Sequence, residues 1–342
     1  VYARLSMQEL ARIAGDTNAA KDMSTPPAKF SAQISGPEGE KNVAFTAQLD
    51  KATAITFDTI IGPIAKPAGE EARIDGSLSM KTDKFTLNDT HIKFGDVPFD
   101  VSGFVDNSQV SEQKQPTISI RVHAADFVPI KTLISFAPDM ASSDQFKGVS
   151  GYIRGGVRAE GALDDLKFKG GATVKELAMP RFSLSQISGS MRAADWLSLN
   201  SLGSGAAPGQ IPLSFEFPTA KVEKLLVTNI KGSMTSTSQD TWEYKASANM
   251  AKGTVNLTGV LGTNSATCQA KAEKLDANTV LAGLLNAPNE LTGVMKADAD
   301  LGTQNLLANP IKTWSGSGSM TLNDGRVARF SLLEKRITQA NL

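Results

Sequence analysis

The sequence predicts an all-β fold, an extended array of strands with a few short helices. Apolar and polar residues alternate along much of the chain, as where Phe30, Ala32 and Ile34 are separated by Ser31 and Gln33. Because successive strand residues point to opposite faces, this period of two gives each strand one apolar face. A helix-led unit occurs twice, and such modules stack into extended arrays because none closes a core alone. Aromatic residues make up only 6% of the chain, which favours a smooth aliphatic face over a compact, aromatic-filled interior.

The alternation begins after an N-terminal amphipathic helix. That helix is predicted over Val1–Gly15, with Leu5, Leu10 and Ile13 on one stripe. Strands follow from residue 29 to residue 122 and again from residue 155 to residue 191, the second series passing through Phe182 and Leu184. Later strands run from residue 213 to residue 327. Each is expected to have about five to eight residues, with on the order of 20 to 25 strands in total.

Breaks in the alternation predict helices and loops. The segment Asp126–Pro138 has apolar residues at helical spacing, with Asp126 as its cap and Pro129 in its first turn. A second helix is predicted over Asp276–Asn286. The stretch SLNSLGSGAAPGQIP is a predicted loop, and SLLEKRITQANL a terminal helix or tail.

The repeated unit suggests how the chain is organised. The spacing from Gly148 to Gly170 in the first copy nearly matches that from Gly293 to Gly316 in the second. We therefore expect three parts within one continuous elongated sheet: residues 1–122, residues 123–269 and the C-terminal residues 270–342.

Composition excludes several classes of function. Lys plus Arg and Asp plus Glu both number 35, so the chain lacks the basic surplus that nucleic-acid binding requires. Cys268 is the single cysteine, which predicts an inert thiol in a strand. No segment approaches the roughly 18 apolar residues of a membrane helix. The sequence does not begin with Met, and we expect it to be a fragment of a longer protein.

The residues that would carry catalysis or metal binding do not cluster in the sequence. His91 and His123 are far apart, each in a predicted strand without an acidic or cysteine neighbour at ligand spacing. Gly151, Gly155 and Gly156 lack the lysine and the strand-turn-helix setting of a phosphate loop. The sequence therefore predicts neither an enzyme nor a cofactor or metal site.

Two stretches resemble the AsmA-like family. LDANTVLAGLLNAPNELTGVMKADADLG followed by WSGSGSMTLNDGRVARFSLLEKRI resembles the family's closing region, a short helix, an L-x-G strand and a strand that ends in the Asp324-Gly325 turn. GGVRAEGALDDLKFKGGATVKELAMPRFSLSQISGSM resembles the strand ladder shared by AsmA, TamB and YhdP relatives. The resemblance covers most of the chain and is strongest over Leu275–Arg336. The membrane helix with which family members begin does not occur in this sequence.

The resemblance implies a fold and a function. The fold would be an elongated, curled antiparallel β-sheet, a trough with an apolar interior, as in bridge-like lipid transfer proteins. Such a protein is anchored in the inner membrane of a diderm bacterium and crosses the periplasm, so periplasmic localisation is expected. With strands about 4.8 Å apart, 20 or more would span on the order of 100 Å. The expected function is to shelter acyl chains and support phospholipid transport between the inner and outer membranes.

The expected partners follow from that function. They are a phospholipid or other acyl lipid, the inner membrane through an anchor outside this sequence, and outer-membrane or periplasmic proteins. The helices are expected to cover trough openings or sheet edges. The residues expected to face the trough and contact acyl chains are Ile74, Leu78, Met80, Phe85, Leu87, Phe99, Val101, Val174, Phe182, Leu184, Phe215, Phe217, Val255, Leu257, Met295, Met320 and Leu322.

Two alternatives stay open. The same side chains would also fit the packed core of an ordinary sandwich or solenoid. The chain would also fit a structural or assembly factor for outer-membrane biogenesis, acting by protein–protein contacts in which a sheet edge adds strands to partner chains.

Overall fold

A computed structural model describes residues 2–3, 29–49, 51, 55–59, 62–66, 69–111, 115–143, 146–162, 165–198, 211–238, 241–305 and 313–328. Over these residues the chain is all-β, with open antiparallel strand pairing and only short helices, which confirms the predicted fold class. No helix in this part of the chain is long and apolar enough to cross a membrane.

Among the described residues before residue 150, the elements are ten strands and two short helices. The strands are β1 (Tyr2–Ala3), β2 (Lys29–Ser35), β3 (Glu40–Leu49), β4 (Ile55–Thr59), β5 (Gly62–Lys66), β6 (Ala72–Lys81), β7 (Lys84–Phe94), β8 (Val97–Asp106), β9 (Thr117–Ala124) and β10 (Val128–Pro129). The helices are α1 (Ile130–Ser135) and α2 (Pro138–Ser142).

In the described part of the chain from residue 150 onward, the elements are eleven strands, one helix and a 3₁₀ turn, Pro180–Phe182. The strands are β11 (Ser150–Ala162), β12 (Lys167–Met179), β13 (Leu184–Ala193), β14 (Leu197–Ser198), β15 (Pro212–Val222), β16 (Leu225–Ser238), β17 (Thr241–Met250), β18 (Gly253–Leu261), β19 (Ala266–Asp276), β20 (Leu291–Thr303) and β21 (Ser315–Val327). The helix is α3 (Ala277–Leu284).

The chain divides into two compact units. Unit 1 comprises Val1–Asp144, Ile153–Gly170 and Ser198–Asn200; unit 2 comprises Gln145–Tyr152, Gly171–Leu197 and Ser201–Leu342. The predicted three-part division stays a prediction.

Each unit is built on a ladder of antiparallel strands. In unit 1, β2, β3, β6, β7, β8, β9 and β11 pair in that order, and β1 pairs with β2. In unit 2, β12, β13 and β15 to β21 pair in chain order. Nearly every strand therefore pairs with its neighbours in the sequence through short turns.

β-Bulges maintain the alternation where two polar residues stand together. The register of β19 on β20 shifts between Ala272 and Leu275, and Lys274 has a φ of 57°. The extra residue returns Leu275 to the face that Ala272 occupies. The strands thus run longer than the sequence predicted, to 14 residues in β16. The same apolar–polar–polar–apolar pattern, with a positive φ at the second polar residue, occurs at Glu176, Gln186 and Asn229.

The helix predicted over Asp126–Pro138 is wrong in its start and its continuity. Its N-cap is Pro129, which has an extended backbone (φ −58°, ψ 127°) and ends β10. Asp126 accepts a hydrogen bond from the adjacent Phe127 N–H, 2.7 Å away, and does not cap the helix. Since proline confines the preceding residue to extended geometry, the helix cannot begin before it.

The second predicted helix is confirmed as α3, with Asp276 as its N-cap. The Asp276 Oδ1 atom accepts hydrogen bonds from the Thr279 N–H at 2.8 Å and the Thr279 hydroxyl at 2.7 Å. These bonds satisfy an otherwise unpaired donor of the first turn. They also lower the pKa of Asp276, the side-chain hydrogen bond from Thr279 being the largest cause.

Other local predictions are corrected or lie outside the described residues. Tyr2–Ala3 forms a strand paired with β2, so the predicted N-terminal helix does not include it, and residues 4–28 lie outside the described part. Most of the loop predicted after Leu197 and all of the predicted C-terminal helix also lie outside it. Phe182, which was predicted to lie in a strand, lies in the 3₁₀ turn because Pro180 cannot donate to a strand ladder.

The repeated unit has a structural counterpart in which different glycines correspond. In both copies a helical segment precedes strands of 13 residues: β11 and β12 in the first, β20 and β21 in the second. Gly151 and Gly293 hold similar φ values, 119° and 123°, and a side chain at either would approach the backbone of the neighbouring strand within 2.7 Å. Gly148, the predicted partner of Gly293, lies before β11. The two copies therefore share a helical segment followed by two strands of 13 residues, and by backbone conformation Gly151 matches Gly293.

Candidate functional site

Strand register in unit 1 places the apolar residues on one face. Leu78 on β6 pairs with Leu87 on β7, and the row continues through Gly103 and Ile120 to Ala159 on β11. Paired residues of antiparallel strands share a face, so this row and its alternate neighbours form the apolar face of unit 1. The predicted residues on it are Ile74, Leu78, Met80, Phe85, Leu87, Phe99 and Val101.

The opposite face of unit 1 is polar. The Arg73 guanidinium and Asp75 carboxylate form an ion pair with a 2.5 Å Nε–Oδ2 distance, and the hydrogen bond from Arg73 is the main reason that the pKa of Asp75 is lowered. Charged and hydroxyl side chains at alternate positions keep this face compatible with water.

His91 and His123, which are far apart in the sequence and have no acidic neighbour there at ligand spacing, lie beside the same carboxylate in the structure. On the polar face, β7, β8 and β9 bring both beside Asp100: His91 Nδ1 lies 2.6 Å from one carboxylate oxygen and His123 Nε2 lies 3.5 Å from the other. Sequence distance concealed this because the three residues are cross-strand partners. Within the described chain, no group of three His, Cys, Asp or Glu residues is arranged to hold a metal ion.

Unit 2 carries an apolar face built the same way. A row of small residues crosses it from Ala246 through Leu257, Ala270 and Ala299 to Gly318. The predicted residues on this face are Val174, Leu184, Phe215, Phe217, Val255, Leu257, Met295, Met320 and Leu322. Phe182 is the predicted residue that no strand carries.

Large and small residues complement one another across the strands of unit 2. Phe215 pairs with Gly232, and a side chain at Gly232 would lie 2.4 Å from the Phe215 ring. Phe215 and Phe217 stack with ring centroids 5.7 Å apart. The aromatic rings therefore lie along the sheet over a glycine, which leaves a shallow aliphatic surface.

The residues predicted to contact acyl chains are more exposed to solvent than the residues of a closed core. Val101 and Met295 are buried, at 8% and 9% exposure, and Met320 is 60% exposed. The remainder are half-buried. A filled sandwich core would bury such residues almost completely. These faces are shielded by neighbouring strands and by one another but keep contact with solvent.

In unit 2, α3 covers one end of the apolar face. Leu225, Leu275 and Ala277 are at most 3% exposed, and Val280 of the helix packs against their cluster. They lie where β16 begins and β19 ends. The helix thus closes the face at that end and leaves the rest half-buried.

In unit 1, the segment after β9 covers one end of the other apolar face. Val97 and Val128 are at most 3% exposed, and Leu133 of α1 packs against their cluster. Phe136 follows the helix and meets the Phe94 ring edge-on at 4.7 Å. The helices were expected to cover trough openings or sheet edges, and α1 and α3 each cover an end of an apolar face.

Several members of the apolar faces were absent from the prediction although the same alternation identifies them. Val43, Ile92 and Ile120 lie in the rows of unit 1, and Leu301 lies in unit 2. Tyr244 also faces this side; its hydroxyl donates to the Thr267 carbonyl at 3.0 Å, and burial raises the pKa of its phenol.

Together these features define an all-β protein with a one-sided apolar sheet in each unit, capped at one end by helix. Comparison with family models, curated proteins and solved structures found no match to this chain.

Proposed function

We propose that the chain shelters lipid acyl chains on its apolar β faces and is the periplasmic part of an AsmA-like protein that supports phospholipid transport between the inner and outer membranes. The observation that carries the proposal is the arrangement of each unit: strand after strand directs its apolar residues to one face, and among the described residues helix covers one end of that face. The half-buried remainder is an aliphatic surface suited to flexible hydrocarbon chains.

The energetics favour such a surface for lipids in particular. Exposing an acyl chain to water costs about 0.8 kcal/mol per CH₂. The free energy of moving a lipid with two long chains from a bilayer into water is therefore unfavourable by on the order of 20 kcal/mol. A row of half-buried Leu, Val and Phe side chains offsets part of this cost, because acyl chains that contact it are removed from water. Passive sheltering requires no catalytic group, so any energy input belongs to other components.

The first test is native mass spectrometry with lipid extraction of the protein purified from a bacterium with an intact envelope. Co-purified phospholipid in several copies supports the proposal. A lipid-free mass under gentle conditions contradicts it and favours a scaffolding role.

Charged substitutions then locate the lipid. Leu87→Arg and Phe215→Arg place a guanidinium on the apolar faces of unit 1 and unit 2, and each should reduce lipid occupancy strongly. The matched controls are Thr86→Arg and Ser214→Arg, which place the same group one residue away on the polar faces. Retained lipid in both apolar-face variants, with circular dichroism unchanged, would overturn the proposal.

The second candidate, an assembly factor that acts through strand addition, is favoured by β21. This strand is exposed at nearly every residue and, among the described residues, pairs only with β20. Its unpaired backbone groups are a template for a partner strand. Thr321→Pro should abolish such pairing while leaving lipid binding intact, which separates the two functions.

A further inference from the structure

We propose that unit 2 holds a binding site for the anionic headgroup of an acyl lipid, in a cavity between α3 and the tips of two hairpins. The inference rests on the proposed lipid-sheltering function and adds to it the class of lipid. The cavity has a volume of about 920 Å³, within the usual range of small-ligand sites.

Backbone hydrogen bonds connect the two turns beside the cavity to the two ends of α3. The turn between β15 and β16 is tied to its C-terminal end, where the Lys224 N–H donates to the Gly283 carbonyl at 3.1 Å. The turn between β17 and β18 is tied to its N-terminal end, where the Asp276 N–H donates to the Ala251 carbonyl at 2.7 Å. Six helical residues, Ala277–Ala282, lie between Asp276 and Gly283, which are therefore about 10 Å apart along the helix.

The cavity lining is suited to an anion. Lys224 and Lys252 line it from the two turns, with Asn249 and Thr254 on the strands and Asn278 on the helix. None of the described residues that line the cavity is acidic.

Both ammonium groups keep donors for a ligand. Lys224 Nζ donates to Asn286 Oδ1 at 2.6 Å, and Lys252 Nζ donates to Asp276 Oδ2 at 3.2 Å. An ammonium has three N–H donors, so each lysine makes one of these bonds and keeps donors for an anionic oxygen.

The position of the cavity indicates a lipid headgroup. Leu225 and Met250 line the cavity and also belong to the cluster at the covered end of the apolar face of unit 2. The lysines of the two turns and this hydrocarbon surface are therefore contiguous. An amphiphile bound with its headgroup at the lysines can lay its acyl chain on the half-buried face.

The test is calorimetric titration of the whole chain with two probes of identical acyl chain, lysophosphatidylglycerol and monoacylglycerol, below their micelle-forming concentrations. We expect the anionic probe to bind about tenfold more tightly, because charge-assisted hydrogen bonds contribute roughly 1.5–3 kcal/mol. Lys224→Gln with Lys252→Gln should remove this preference and leave monoacylglycerol binding unchanged. The control, Lys245→Gln with Lys271→Gln, changes the net charge equally on the polar face and should keep the preference.

Each contrary result has a separate meaning. Equal binding of both probes by the unsubstituted chain overturns the headgroup assignment alone, whereas no binding of either probe overturns the proposed function too. A preference that survives in the Lys224 and Lys252 variant, with circular dichroism unchanged, places the anion elsewhere and overturns the site. If glycerol 3-phosphate binds as tightly as lysophosphatidylglycerol, the cavity is a site for a free phosphate ester. That result would overturn the assignment of the anion to a lipid headgroup.

Discussion

Truncating a leucine beneath α3 should cost far more stability than truncating one on the open part of the same face. Leu275 is 2% exposed and packs with Leu225 and Met295. Leu275→Ala removes three carbon groups at about 0.8 kcal/mol each and leaves a cavity that the helix prevents from closing. We expect the free energy of unfolding to fall by about 3 kcal/mol.

Leu257→Ala is the matched comparison. Leu257 lies on the same face but is half-buried and outside the α3 cluster. Part of its side chain already contacts water and no closed cavity forms, so the loss should be about 1 kcal/mol. Urea unfolding followed by circular dichroism, with slopes checked for equality, measures both. Equal losses would refute the inference that the face is covered at one end only, because Leu257 would then be packed as tightly as Leu275.

Three further predictions concern bulges, helix packing and pH. Deletion of Lys274 should lower the stability less than deletion of Gln269. Deleting Lys274 removes the extra residue of a bulge, whereas deleting Gln269 turns Lys271 onto the apolar face. Equal urea midpoints for the two variants would contradict the bulge assignment. Gly283→Ala should lower the free energy of unfolding by about 1 kcal/mol, because a Cβ at this position would lie 2.9 Å from Leu225 Cβ and overpacking outweighs the helix-propensity gain of alanine. A higher unfolding midpoint for the variant would argue against this contact. The hydrogen bond from Thr279 is the main cause of the lowered pKa of Asp276, so the carboxylate stabilises the fold above its unfolded pKa and this stabilisation is lost as pH falls through the folded pKa. Asp276→Asn should therefore lower the melting temperature more at pH 7 than at pH 3. An equal drop at both pH values would contradict this prediction.

The period-two pattern was sufficient to predict the strands and their faces, because burial of one face decides which residues point inward. Val255 and Leu257, for example, lie on the apolar face of unit 2. The bulges were missed although Lys274 and Asn229 each follow another polar residue, a local signal that alternation alone treats as a strand end.

Features that depend on contacts distant in sequence could not be predicted. The hydrogen bonds from Lys224 to Gly283 and Asn286 join residues about 60 positions apart. The His91–Asp100–His123 cluster requires the exact strand register. The start of α1 was misjudged because Asp126 is a suitable cap by residue type, whereas Pro129 ends the extended segment three residues later.

Pairing of strands with their neighbours in the sequence has a consequence for how this protein folds and varies in length. Because most contacts join adjacent hairpins, closing each one costs little loop entropy, so folding can start at several places and spread along the chain. Removal of a whole hairpin keeps the polarity of the remaining strands and the side to which their residues point. The amount of apolar surface can therefore grow or shrink by hairpin gain and loss without a change in its chemistry.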